Sequence, residues 1–219
     1  MGIAKNFLKK VKINMSELST LLLEWFDLNK RGLPFRKNNK PYDVWVSEIM
    51  LQQTKVDTVI PYYNSWMKKF PNIESVSEAS EESILKSWEG LGYYSRSRNF
   101  HKAAKIIIKN FNSKIPESWD DFRLLPGVGD YTAGAVLSIA FNKSYVAVDG
   151  NVKRVMARLT SRKKLSQHNL RFIKSKLLKF MDKNRAGDFN QAMMELGACV
   201  CLPRNPKCEQ CPINKICNA

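Results

Sequence analysis

The chain has 219 residues, 44% of them apolar and 26% charged, enough to bury a core as one domain or two small lobes. No run approaches the ~18 consecutive apolar residues of a membrane span, which argues against an integral membrane protein. With 36 Lys and Arg against 20 Asp and Glu, the net charge of +16 points to a polyanionic partner, although a merely solvated basic surface gives the same sum.

Helical periodicity dominates the chain. The N-terminal stretch MGIAKNFLKKVKINM is basic but carries no apolar h-region or cleavage site, and Asn6 stands where a myristoylation signal has Ser or Thr. An intracellular, cytoplasmic protein is therefore expected, in which clustered thiols suggest metal rather than disulfides. MSELSTLLLEWFDLN (15–29) sets Leu18, Leu21, Leu22, Trp25 and Phe26 on one face. RGLPFRKNNKPY reads as a loop. VWVSEIMLQQTKVDTVIPYYNSWMKKF predicts two helices separated near Pro61, and EESILKSWEG a short helix stopped at Gly90. RSRNFHKAAKIIIKNF is a helix with a basic face, containing Arg96, Arg98, Lys102, Lys105 and Lys109. Residues 118–141 read as helix, tight turn, helix. After the short extended stretch YVAV come three helices: NVKRVMARLT, HNLRFIKSKLLKFM and DFNQAMMELGACVC. Lys153, Arg154, Arg158, Arg162, Lys163 and Lys164 form a second basic crowd, while acidic residues gather elsewhere, as in IESVSEASEES; segregated charge favours nucleic acid. The expected fold class is all-α.

Four constellations stand out. In LPGVGDYTAG, Gly127 and Gly129 allow positive φ and leave backbone N–H groups unshielded before a helix N-terminus; this is either a phosphate site or a plain turn between helices. Glu48 sits in VWVSEIML, a helix apolar nearly all round; burial would keep its carboxyl protonated and make it a general acid, whereas a helix-edge Glu would simply reach solvent or an Arg. Asp149 precedes GNVKRVMARL, where it or Asn151 can be an N-cap, a candidate partner carboxylate to Glu48, or both. Cys201, Cys208, Cys211 and Cys217 are spaced C-x6-C-x2-C-x5-C, an all-thiolate set for zinc or an iron–sulfur cluster; having only one short pair leans away from zinc. Cys199 reads as a small core residue, and His101 and His168 as ordinary surface or core histidines.

Together YDVWVSEIMLQQTKVDTVIPYY, GLGYYSRSRN, LPGVGDYTAGA, VDGNVKRVMARL, FNQAMMELGA and the cysteine spacing resemble the helix-hairpin-helix (HhH-GPD) superfamily of DNA glycosylases, and most closely its MutY-type adenine DNA glycosylases, over about residues 17–217. The resemblance implies a two-lobed fold: a six-helix lobe with the hairpin (33–143) and a lobe of residues 1–32 and 144–219 around a [4Fe–4S] cluster held by the four cysteines. It implies a monomer in the nucleoid that flips adenine out of double-stranded DNA containing an A·8-oxoguanine or A·G mispair. Glu48 then protonates adenine N7, and Asp149 stabilises the oxocarbenium ion, directly or through a covalent intermediate. Tyr131 and Asn151 support these carboxylates. Arg31, Arg36, Leu51 and Glu195 match adenine-pocket positions, Gln53 and Tyr93 match residues wedged into the stack, and Gly127 and Gly129 match the phosphate hairpin.

Two departures qualify the match. Phe35 replaces a frequent Trp, and the chain ends at Ala219, where adenine glycosylases usually continue into a domain that recognises 8-oxoguanine; weaker discrimination of the opposite base is expected. Thymine glycosylases acting on G·T mispairs also have Tyr at the place of Tyr131, but MLQQT and the Glu48–Glu195 combination favour adenine. Tyr131 occupies the place of the Schiff-base lysine of bifunctional relatives, so a monofunctional enzyme is expected. A non-catalytic, metal-stabilised DNA-binding module is the alternative outside enzymes.

Overall fold

The computed structural model describes residues 15–161 and 167–219. Every regular element among them is helical: α1 (Met15–Asn29), α2 (Pro41–Leu51), α3 (Val56–Lys69), α4 (Ile73–Glu78), α5 (Glu81–Ser87), α6 (Ser95–Phe111), α7 (Trp119–Arg123), α8 (Asp130–Phe141), α9 (Gly150–Leu159), α10 (Gln167–Phe180) and α11 (Ala186–Cys199). Short 3-10 turns occur at Pro34–Arg36, Lys183–Arg185, Cys208–Gln210 and Asn214–Ile216. YVAV joins α8 to α9 without strand pairing. No described helix is long and apolar enough to cross a membrane. Arg162, Lys163 and Lys164 lie outside the described residues, as does the side chain of His168.

The chain forms two compact units. One holds residues 31–147 and 183–190. Its core is aromatic: Trp45 meets Phe100 and Phe122 edge-on at 4.8 and 5.0 Å, and Trp66 meets Trp88 at 5.5 Å. Phe35 belongs to this core, edge-on to Tyr63. Residues 42–50 of α2 and 132–138 of α8 are buried without interruption, so both helices lie inside the unit. Segment 183–190 is stitched in by Asn190, whose side chain bonds Ala147 N–H, Ser138 and the Tyr145 carbonyl. The other unit takes the described residues of 1–30 and 148–182 together with 191–219. Leu18, Leu22 and Phe26 of α1, Val152, Val155 and Leu159 of α9, and Ile173 and Leu177 of α10 are its buried faces.

Three local expectations change. The break expected near Pro61 falls at residues 52–55, where Gln53 takes φ 58°, and Pro61 lies inside α3. An internal proline costs about 3 kcal/mol; burial of Val59, Tyr63 and Trp66 holds the helix nonetheless. The acidic stretch contains a helix that propensity did not announce, α4, started by an Asn72–Ser75 capping box. Arg96 leaves the basic face: it is buried, while Arg98, Lys102, Lys105 and Lys109 stay exposed. His101 is a core histidine, its pKa pushed down by burial.

Candidate active site and cysteine loop

Pro41 at the first helical position starts α2, which carries Glu48 into the aromatic unit. Glu48 is 6% exposed, and its Oε2 accepts a 2.7 Å hydrogen bond from the Tyr131 hydroxyl. Glu48 therefore does not reach solvent from a helix edge. Tyr131 reaches it because α8 begins at Asp130, directly after the hairpin. A second bond, from Gln52 Nε2 to Thr132 Oγ1 at 3.2 Å, joins the end of α2 to the same first turn of α8.

The hairpin itself is closed by Val128 N–H donating to the Leu125 carbonyl at 3.1 Å. Arg123 bonds the Val128 carbonyl and pairs with Asp130 at 3.2 Å. Gly127 takes φ 80°, and a Cβ there would sit 2.9 Å from Asn99 Cβ. Gly129 departs from the expected positive φ: it is the extended N-cap of α8, with φ −90° and ψ 176°. Its missing side chain matters differently. Space around its Cβ position is open and it brings no capping side chain, so the α8 amides are approached by bare backbone.

Gln53 and Tyr93 are both exposed, and both adopt the left-handed backbone, at φ 58° and 50°. Tyr93 is 59% exposed, so it is no core tyrosine. Arg31, Arg36 and Leu51 are half-buried in the same unit.

In the other unit Asp149 is the N-cap of α9. Its Oδ1 accepts from Val152 N–H at 2.7 Å and its Oδ2 from the Asn151 amide at 2.9 Å. Asn151 in turn accepts from Arg154 at 2.8 Å, and Arg154 also donates to the carbonyls of Gly197 and Cys201 at 2.7 and 2.8 Å. Gly197 permits this: a Cβ there would lie 2.5 Å from Asn151 Cβ. Glu195, on α11 of this unit, is 1% exposed.

Cys201, Cys208, Cys211 and Cys217 are all free thiols lining one cavity of about 300 Å³, walled by Val155, Leu159, Leu196, Val200 and Ile213. Burial first, then the three neighbouring thiols, push Cys211 up to about 11, so a positive metal charge is what would hold it as thiolate. Among the described residues no three such ligands converge tightly enough for a single metal ion. Four cysteines around one cavity suit an all-thiolate metal site. Arg158 donates to Cys201 Sγ at 3.2 Å and to the carbonyls of Leu202 and Pro203, fixing the start of the loop. Cys199 ends α11 half-buried, outside this cavity.

Residues 46–180 match the HhH-GPD superfamily of base excision DNA repair proteins. The chain belongs to that superfamily. Residues 201–217 of this HhH-GPD protein match the iron–sulfur binding domain of endonuclease III, which identifies the cysteine loop as an iron–sulfur site. The protein is 44% identical to the adenine DNA glycosylase of Rattus norvegicus over 212 residues, 90% of this chain and 40% of the relative. It is 43% identical to that of Buchnera aphidicola, over 90% of this chain and 57% of the relative. It thus spans about half the length of the curated relatives it matches. Among solved structures, a thermostable thymine-DNA glycosylase superposes with a TM-score of 0.84 at 27% identity, covering 93% of this chain and 94% of that one.

Sequence reasoning missed three arginines of this HhH-GPD chain. Arg96, Arg154 and Arg158 were counted as surface charge, yet each spends its guanidinium on backbone carbonyls. No local signal separates them from surface arginines, because most of the carbonyls they meet lie more than 40 residues away along the chain.

Proposed function

We propose that the protein is a monofunctional DNA glycosylase that hydrolyses the N-glycosidic bond of adenine mispaired with 8-oxoguanine or guanine. The observation that carries this reading is Glu48, a carboxyl buried on an apolar helix and oriented by the Tyr131 hydroxyl. The 44% identity to adenine glycosylases supports adenine as the base. Glu48 gives its proton to N7 of the flipped adenine. The C1′–N9 bond then breaks with its electron pair passing to the base. Asp149, held by Val152 N–H and Asn151, stabilises the positive charge left on the sugar. Water adds to C1′ and loses a proton, giving free adenine and an abasic site. Arg31, Arg36, Leu51 and Glu195 contact the base, and Gln53 and Tyr93 enter the stack. The hairpin at Gly127 and Gly129 takes one phosphate through backbone N–H groups. Exposed Arg98, Lys102, Lys105 and Lys109 supply sequence-independent attraction to the duplex. The enzyme works as a monomer inside the cell.

Single-turnover base release from duplexes containing A·8-oxoguanine, A·G, A·C, T·G and U·G tests this. Adenine should leave the first two, with strand cleavage only after alkali. The structural likeness to a thymine-DNA glycosylase supports one rival: thymine release from T·G outpacing any adenine release would replace the assignment. Release from none of the duplexes would leave a DNA-binding module.

The cluster is a [4Fe–4S] centre held by Cys201, Cys208, Cys211 and Cys217, and when bound it supplies a rigid cross-link rather than an electron. Anaerobically purified protein should be brown and hold about four irons per chain, as Cys₄ ligation of this cluster requires. One zinc and no visible absorption would refute it.

A further inference from the structure

Gln53 (φ 58°) and Tyr93 (φ 50°) are among the exposed residues in a backbone conformation that side chains other than glycine rarely take. They stand on separate turns, one leaving α2 and one entering α6. Between the turns lies a single buried guanidinium. Arg96 Nη1 donates to the carbonyls of Ile49, Met50 and Gln52 at 2.8, 2.8 and 2.7 Å. Its Nη2 donates to Thr54 Oγ1 at 3.4 Å and to the carbonyls of Leu91 and Gly92 at 3.3 and 3.1 Å. Its Nε completes the set at the Tyr93 carbonyl, 3.4 Å away. The guanidinium also packs on the Trp88 and Tyr93 rings, at 5.3 and 5.5 Å from their centroids.

We propose that Arg96 is a positioning residue that holds both left-handed turns, and so sets Gln53 and Tyr93 together for entry into the DNA stack. The inference rests on the reading that these two side chains enter DNA. Its physical basis is separate from that reading. The Ile49 and Met50 carbonyls are among the last of α2 and have no partner further along the helix. A cation at a helix C-terminus satisfies them and meets the negative end of the helix dipole. The same planar fork reaches the second turn, which a lysine ammonium, a compact point charge, does not. Arg96 meets no carboxylate among these partners, so its charge is offset by carbonyl dipoles on both turns. Loosening one turn therefore loosens the other.

Arg96→Lys in the full, cluster-loaded chain is the test. Duplex carrying 2-aminopurine beside the mispair reads the opening of the stack, single-turnover release reads catalysis, and thermal melting reads the fold. The expected result is a folded protein with normal iron content, a 2-aminopurine signal at least halved, and release slowed at least tenfold. Adding Tyr93→Ala to Arg96→Lys should slow release little beyond either change alone. Any stability lost in Arg96→Lys should shrink in a Gln53→Gly/Tyr93→Gly chain, because glycine takes positive φ without strain. Four results would overturn the inference: full stack opening by folded Arg96→Lys, additive losses with Tyr93→Ala, an undiminished stability loss in the glycine background, or failure of Arg96→Lys to fold in both backgrounds. If Gln53→Ala and Tyr93→Ala leave the 2-aminopurine signal unchanged, the DNA reading fails at these residues and the inference fails with it. The glycine-background melting would still report whether the clamp exists.

Discussion

Glu48→Gln binds a mispaired duplex as well as the parent chain does and releases adenine about 10²- to 10⁴-fold more slowly, the range that loss of a general acid spans. The substitution is nearly isosteric. The new amide oxygen still accepts from the Tyr131 hydroxyl, which lies 2.7 Å from Glu48 Oε2. Stability should therefore change little, although the site is buried. What disappears is the transferable proton. Tyr131→Phe separates chemistry from orientation: it keeps the proton and removes the hydroxyl that aims the carboxyl, so release should slow by about tenfold, the upper worth of one ordinary hydrogen bond. Single-turnover release, with duplex binding measured in parallel, checks both. Release by Glu48→Gln at the parent rate would remove Glu48 from the chemistry.

Asp149→Asn tests the second carboxylate without dismantling its helix. Asn caps helices as well as Asp, and its oxygen can still accept from Val152 N–H, so α9 should keep its stability to within a few tenths of a kcal/mol. Two other things change. In the proposed mechanism the negative charge opposite the oxocarbenium ion is gone. The new Nδ2 also meets the Asn151 amide nitrogen, which donates to Asp149 at 2.9 Å, and Asn151 cannot turn over without breaking its bond to Arg154. Release should fall by about 10²- to 10³-fold, the size of losing one electrostatic stabiliser in a water-excluded site. Asp149→Ala should add about 1 kcal/mol of lost stability from the missing cap. Thermal melts and single-turnover release on the three chains read the two effects separately. An Asp149→Asn chain as active as the parent would reduce Asp149 to its capping role.

The sequence by itself determined a good deal of this protein. Period-3.6 apolar spacing located α1, α6 and α9 to α11, because one-faced burial leaves a regular mark on the chain. The run around Glu48 announced a buried helix with one acid in it, and four cysteines at fixed spacing announced an all-thiolate metal loop, in which zinc stood beside iron–sulfur until the family resemblance was added. Asp149 before a helical run was legible as a cap.

Tertiary structure decided the rest. Pro61 marks a break in isolation, yet α3 runs through it because Trp66 and Tyr63 are worth more in the core than one hydrogen bond. Gly129 resembles Gly127 in sequence and differs from it in backbone, since one ends a turn and the other begins a helix. The link from Tyr131 to Glu48 spans 83 positions, and those from Arg96 to the end of α2 span 44 to 47. An arginine on a surface and an arginine buried among carbonyls read identically along the chain. Which one forms depends on whether unpaired carbonyls from distant segments converge on it, and only the packed fold brings them there.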